Sequence, residues 1–83
     1  MSYRPWLEGS ALQQMAGLPA EALSTLVRVL AQITDDPWDR MFSMPLTKDG
    51  FRRMAELGDH GFIEFLVDEN AGMIRVYYLV WTG

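Results

Sequence analysis

The residues of this chain that could do chemistry are few, and they lie in its second half. Four of its seven basic residues, Arg40, Lys48, Arg52 and Arg53, fall within fourteen positions, and the sole histidine, His60, follows closely. Lysine and arginine neutralise phosphates, and a histidine titrates close enough to neutrality to pass protons. Arg52, Arg53 and His60 are therefore the candidate catalytic set, supplying positive charge and a proton-transfer group for a reaction that develops negative charge. The ordinary alternative is a solvated basic face and a turn residue beside Asp59. Total charge favours that alternative. Eleven acidic residues outnumber the seven basic ones, net −4, whereas nucleic-acid binders usually carry a basic excess.

Other chemistries find little material. One histidine and scattered carboxylates show no zinc or calcium spacing, so no metal is expected. The seven glycines are dispersed singly, which leaves no phosphate-cradling loop and no cofactor. Asp35, Asp36 and Asp39 gather at a helix end, where their charge opposes the dipole. Cysteine is absent, so neither a disulfide nor a thiolate site can brace the fold.

These residues are positioned by a chain long enough for one domain, 1–83. No apolar run approaches the roughly 20 residues of a membrane span. The stretch Met1–Leu7 lacks the features of a signal peptide, so the expected location is the cytoplasm. Tyr3–Leu7, interrupted by Pro5, reads as an edge strand or extended arm. Ser10 and Gln13 have the spacing of a capping box ahead of a short helix, Ala11–Ala16, with Leu12, Met15 and Ala16 on one face and Gly17 as its end. Leu18-Pro19-Ala20-Glu21 opens a second helix. Its stripe is Leu23, Leu26, Val27, Leu30 and Ile33, and Asp35-Asp36-Pro37 stops it. Trp38–Gly50 has no clean period and reads as a long loop with room for a short extended piece. It is either a functional or mobile loop or an irregular connection that buries Trp38 and Phe42. Its Met41 and Met44, with Met15 and Met54, suit either gap-filling or an adaptable binding surface.

The remainder reads as sheet: Phe51–Leu57, where Met, Ala and Glu leave a short helix open as the alternative, then Gly61–Val67 and Met73–Trp81, these two joined by the turn Asp68–Gly72. The expected fold class is α+β, with two N-terminal helices packed on one face of a small antiparallel β-sheet. In the hairpin, Phe62, Glu64 and Leu66 oppose Ile63, Phe65 and Val67. On its mate Ile74, Val76, Tyr78 and Val80 oppose Arg75, Tyr77, Leu79 and Trp81. Both faces are apolar, where a half-solvated antiparallel sheet should alternate. Two short helices cover one face only, so the other is expected to meet a second molecule. The candidate partner-binding residues are Phe62, Ile63, Phe65, Tyr77 and Trp81, drawn from both faces because a one-residue slip would exchange them.

The order strand, helix, helix, three strands resembles the RelE/ParE toxin superfamily. The likeness is carried by Leu18-Pro19-Ala20-Glu21-Ala22, Asp36-Pro37, Leu57-Gly58-Asp59-His60-Gly61-Phe62-Ile63, Leu66-Val67-Asp68-Glu69 and Ile74-Arg75-Val76, and it spans nearly the whole chain. The resemblance implies an antitoxin-like partner, with messenger-RNA cleavage on the ribosome or gyrase poisoning in some members. The cleaving members use basic residues and often a tyrosine on the open sheet face. One family arginine would stand where this chain has Gly61, and another after the last strand, where it reads Trp81-Thr82-Gly83. The expectation is thus a toxin-like component of a type II toxin–antitoxin system, or a non-catalytic relative acting by protein binding. The alternatives are a ribosome-dependent endoribonuclease using Arg52, Arg53 and His60, and a self-associating homodimer without enzymatic activity. Contact with ribosome or RNA is disfavoured by the acidic charge.

Overall fold

The computed structural model describes residues 2–83. Seven elements follow in order: β1 (Arg4–Leu7), α1 (Gly9–Ala16), α2 (Ala20–Asp35), β2 (Met44–Pro45), β3 (Arg52–Glu56), β4 (Gly61–Asp68) and β5 (Met73–Trp81). The strands form one sheet in the order β1-β5-β4-β3-β2. The fold is α+β, but the sheet is mixed rather than wholly antiparallel: β1 runs parallel to β5, and the other neighbours are antiparallel. The helical crossover makes this possible. A parallel partner needs a long connection, and α1 and α2 lie between β1 and the rest of the sheet.

Pro5 sits on the outermost strand, where its missing N–H costs nothing. The Arg4 and Glu8 N–H groups donate to the Gly72 and Val76 carbonyls, and alternation turns the Pro5 nitrogen outward. Helix α1 begins earlier than the Ser10–Gln13 pattern suggested. Its N-cap is Glu8, with no side-chain cap bond. Gly9 takes φ +58°, a left-handed value natural to glycine, and so turns the chain sharply out of β1. Ser10 is spent elsewhere, its hydroxyl donating a long bond of 3.4 Å to the Tyr77 carbonyl.

Helix α2, 16 residues and thus roughly 24 Å long, lies across the sheet with α1. Its buried residues are Ala22, Leu26, Val29 and Ile33, with Leu30 partly buried against the core. The inward line is rotated from the expected stripe, leaving Leu23 and Val27 at the surface. In α1 the small Ala11 is the buried residue while Leu12 is exposed, because that helix packs closely on β5. Beneath the helices lie Ala55, Leu57, Ile63, Phe65, Val67, Ile74, Val76 and Leu79, the sheet's share of the core. No helix among the described residues is long and apolar enough to cross a membrane.

A bulge decides which residues of β5 face the helices. Glu64 pairs with Tyr78 and Phe65 with Val76, which leaves Tyr77 without an opposite residue. One extra residue reverses the inside–outside phase. Ile74 and Val76 point inward before the bulge, and Leu79 does so after it.

Candidate functional site

Among the described residues, no element covers the sheet face away from the helices. Across it run Met44 of β2; Arg52, Met54 and Glu56 of β3; Phe62, Glu64 and Leu66 of β4; Met73, Arg75, Tyr77, Tyr78 and Val80 of β5; and Arg4 and Trp6 of β1, as the pairings place them. Trp6 is 53% exposed and Tyr78 43%. Phe62 and Tyr78 meet as tilted rings with centroids 6.1 Å apart. The bulge doubles the tyrosines here, because Tyr77 and Tyr78 both fall on this side.

The polar groups on the face are largely paired among themselves. Tyr77 donates its hydroxyl to Glu64 at 3.4 Å, and the Arg52 guanidinium lies over the Tyr77 ring, 5.1 Å from its centroid. Arg75 bridges Glu8 at 3.0 Å and Asp68 at 3.4 Å. The hydrogen bond and charge of Glu8, with a smaller contribution from Asp68, hold the Arg75 proton more firmly than usual. Exposed pairs of this kind add little stability. Their consequence is that the Arg75 charge is neutralised where it stands.

The three candidate catalytic residues are not brought together. Arg52 and Arg53 are successive strand residues and so face opposite ways: Arg52 is on the open side, whereas Arg53 turns toward the helices and is 5% exposed. Arg53 donates from Nε to Ser43 Oγ at 2.9 Å, and its terminal nitrogens reach the Gly50 and Ser43 carbonyls at 3.2 and 3.4 Å. Trp38 lies beside it, ring centroid 5.6 Å away. Burial pulls the Arg53 pKa below its ordinary value, Arg40 adds repulsion, and Asp36 partly opposes both. His60 sits in the exposed turn between β3 and β4. From Arg52 to Glu56 alone is roughly 13 Å of strand, and His60 lies beyond that. The single histidine instead packs edge-on against Trp81 at 5.8 Å, and its carbonyl accepts the Thr82 N–H and hydroxyl.

The five candidate partner residues divide. Phe62 and Tyr77 stand on the open face. Ile63 and Phe65 are wholly buried under the helices and leave the set, since no partner can reach them in the folded chain. Trp81 leaves it too: past the bulge it joins the inward phase and packs against the core, its indole N–H buried without an acceptor. Trp38 and Phe42 are not buried by their loop as expected, being 39% and 37% exposed. Met41 and Met44 also stand at the surface and so are not gap-fillers.

Gly61, where the resemblance would put an arginine, has a steric reason to be glycine. A Cβ built there would run into the Val80 carbonyl of the neighbouring strand. Asp36 and Asp39 accept backbone N–H groups from Trp38 and Met41, so the acidic end of α2 is occupied in shaping its loop. Among the described residues no group of three or more His, Cys, Asp or Glu side chains could hold a metal ion.

The fold is that of the RelE toxins. The toxin–antitoxin complex RelBE2 from Mycobacterium tuberculosis superposes with a TM-score of 0.79 at 13% identity, covering 98% of this chain and 99% of that one. The isolated RelE toxin of E. coli gives 0.81 at 12% identity, covering 99% and 86%. An archaeal RelE–RelB complex from Pyrococcus horikoshii gives 0.74 at 19% identity, covering 100% and 98%. The sequence matches no protein-family model and no curated protein, so the likeness is one of fold.

Proposed function

We propose that this chain is the toxin-like component of a type II toxin–antitoxin pair, or a relative that has lost catalysis, and that it acts in the cytoplasm by binding a partner protein. One observation carries the reading: an uncovered sheet face bears Trp6, Phe62, Tyr77 and Tyr78, while Arg52 and Arg75 at its centre are already engaged. Aromatic residues on an open surface suit a protein interface. Isolated cations committed to neighbours do not suit a phosphate site. Two of the similar structures are toxin–antitoxin or RelE–RelB complexes, which supports an antitoxin-like partner. Cleavage of messenger RNA by Arg52, Arg53 and His60 has less support, because Arg53 is buried in its own hydrogen bonds and His60 is remote from Arg52.

The test is to induce the chain alone in a bacterial host beside an Arg52→Ala, His60→Ala double variant. The chain is also purified with the product of any small adjacent reading frame. Unchanged growth, with a stable complex on sizing that Tyr78→Ala weakens, is the expected result. Growth arrest relieved by the double variant would return the ribonuclease reading. A chain that runs alone at twice its mass and ignores the candidate partner would point to self-association.

A further inference from the structure

At the β3–β4 end of the open face lies a shallow groove of about 490 Å³. Met54, Phe62 and Val80 form its apolar floor, and Glu56, Asp59 and His60 stand around it. No lysine or arginine among the described residues lines it. The cations of the face lie elsewhere: Arg52 lies over Tyr77, Arg75 bridges Glu8 and Asp68, and Arg4 stands on β1 at the far edge of the sheet. Glu56 and Asp59 have no salt-bridge partner among the described residues. The groove is thus apolar below and negative at its rim, in a chain whose total charge is −4.

We infer that this groove receives a basic side chain, lysine or arginine, from a cationic amphipathic segment of a partner protein. This rests on the reading that the chain binds such a partner, and it specifies that partner's chemistry. The geometry matches the side chain in two parts. An aliphatic stem lies along apolar surface while its charged head stays at the wet edge, here along Met54 and Val80 with the head toward Glu56 and Asp59. A guanidinium would gain further from the Phe62 and Tyr78 rings, since cations are attracted to aromatic faces. The apolar residues flanking that side chain in the partner would then continue over Tyr78 and toward Trp6. An acidic segment would meet repulsion at the same rim, and a nucleic acid would bring phosphates to two carboxylates.

The test uses the full chain, isotope-labelled, and three probes: a peptide of leucine and lysine, its counterpart with glutamate for lysine, and a single-stranded oligouridylate. The lysine peptide should shift the amide resonances of Phe62, Tyr78 and Val80. Its affinity should fall about five- to tenfold in a Glu56→Gln, Asp59→Asn variant. It should fall by a similar factor as salt rises from about 0.05 to about 0.5 M, because rim charges are screened. Both replaced side chains are exposed, so the variant should keep the parent's unfolding midpoint. Equal binding of the two peptides would overturn the charge inference while leaving the face as a protein-binding surface. Shifts caused by the oligouridylate alone would overturn both the inference and the partner reading. If no probe shifts these residues yet an adjacent-frame protein binds across the face, the inference fails and the proposed function stands.

Discussion

Replacing Arg53 with alanine should unfasten the loop between α2 and β3. The side chain enters from β3, spans the loop's interior and ties Ser43 and Gly50 together through three hydrogen bonds. Ser43 in turn donates to the Pro37 carbonyl at 2.7 Å, so the loss would propagate to the end of α2. Hydrogen bonds to a charged group contribute about 1.5–3 kcal/mol each at good geometry. Only the 2.9 Å bond to Ser43 Oγ is short, so the three together are worth about 3 kcal/mol rather than their full sum. A chain of this size has about 4–12 kcal/mol in total. At about 4–8 °C per kcal/mol, the melting temperature should fall by roughly 12–24 °C. Arg53→Lys keeps the charge without the planar fork and should cost about half as much. Urea unfolding followed by tryptophan fluorescence measures this, with Arg52→Ala as comparator. That side chain only lies over Tyr77 and should cost about 1 kcal/mol or less. An Arg53→Ala variant with an unchanged midpoint would refute the structural role. If it also lost a biological effect, Arg53 would return to the list of functional residues.

Three other perturbations separate the parts of the molecule. Gly61→Ala should destabilise the β4–β5 pairing by about 1–3 kcal/mol, the usual cost of overpacking, because its methyl group would press on the Val80 carbonyl; an unchanged thermal midpoint would contradict this. Phe65→Ala should cost about 3–5 kcal/mol, while Phe62→Ala should cost far less and instead weaken partner binding about tenfold or more. Paired unfolding and binding curves for these two variants check the face assignment directly. Asp49 accepts the Thr47 hydroxyl at 2.6 Å and the Phe51 N–H at 2.9 Å, and these bonds, the hydroxyl's first, lower its pKa from the ordinary 3.8. A carboxyl depressed in the fold stabilises above its unfolded pKa, and that stability is lost as pH falls through the folded value. Exchange of the Phe51 amide, corrected for its intrinsic rate, should therefore accelerate only below about pH 4, and Asp49→Asn should flatten the response.

Much of the architecture was legible because local signals and tertiary packing agreed. Pro19 at the head of α2 and Asp36-Pro37 at its end bound a helix whose observed limits are Ala20–Asp35. The strand Met73–Trp81 has the observed limits of β5. The pairing of β1 was not legible, since nothing in four residues says whether an arm adds parallel or antiparallel. The capping-box reading failed because Gly9 permits a tighter exit from β1, which starts the helix before Ser10. The grouping of Arg52, Arg53 and His60 treated neighbours in sequence as neighbours in space. Period-two alternation already separates the two arginines, and that signal was available in the sequence.

The apolar character of both hairpin faces did carry the correct inference that one face lacks a cover. Which side chains occupy that face depended on one residue that strict alternation cannot anticipate. Alternation throughout β5 would place Tyr78 with Val76 in the core and Leu79 outside. With Tyr77 extruded, Leu79 goes in and Tyr78 comes out. The exchange is energetically sensible, because Leu79 buries no polar atom, whereas a buried tyrosine hydroxyl would need a partner. The extruded residue is not left idle: its hydroxyl reaches Glu64, its ring receives Arg52, and its carbonyl takes the Ser10 hydroxyl from α1. The bulge thus sets two adjacent tyrosines on the uncovered face and sends Trp81 to the core side, beside His60. A deletion of Tyr77 would restore regular alternation. Because Val76, Tyr78 and Leu79 already pair with Phe65, Glu64 and Ile63, that deletion should keep Tyr78 outside and Leu79 in the core. It should remove from the face only the Tyr77 ring that carries Arg52 and the hydroxyl that reaches Glu64. Partner binding should then weaken rather than vanish, and a folded deletion variant in which Tyr78 becomes protected and Leu79 exposed would refute this account of the bulge.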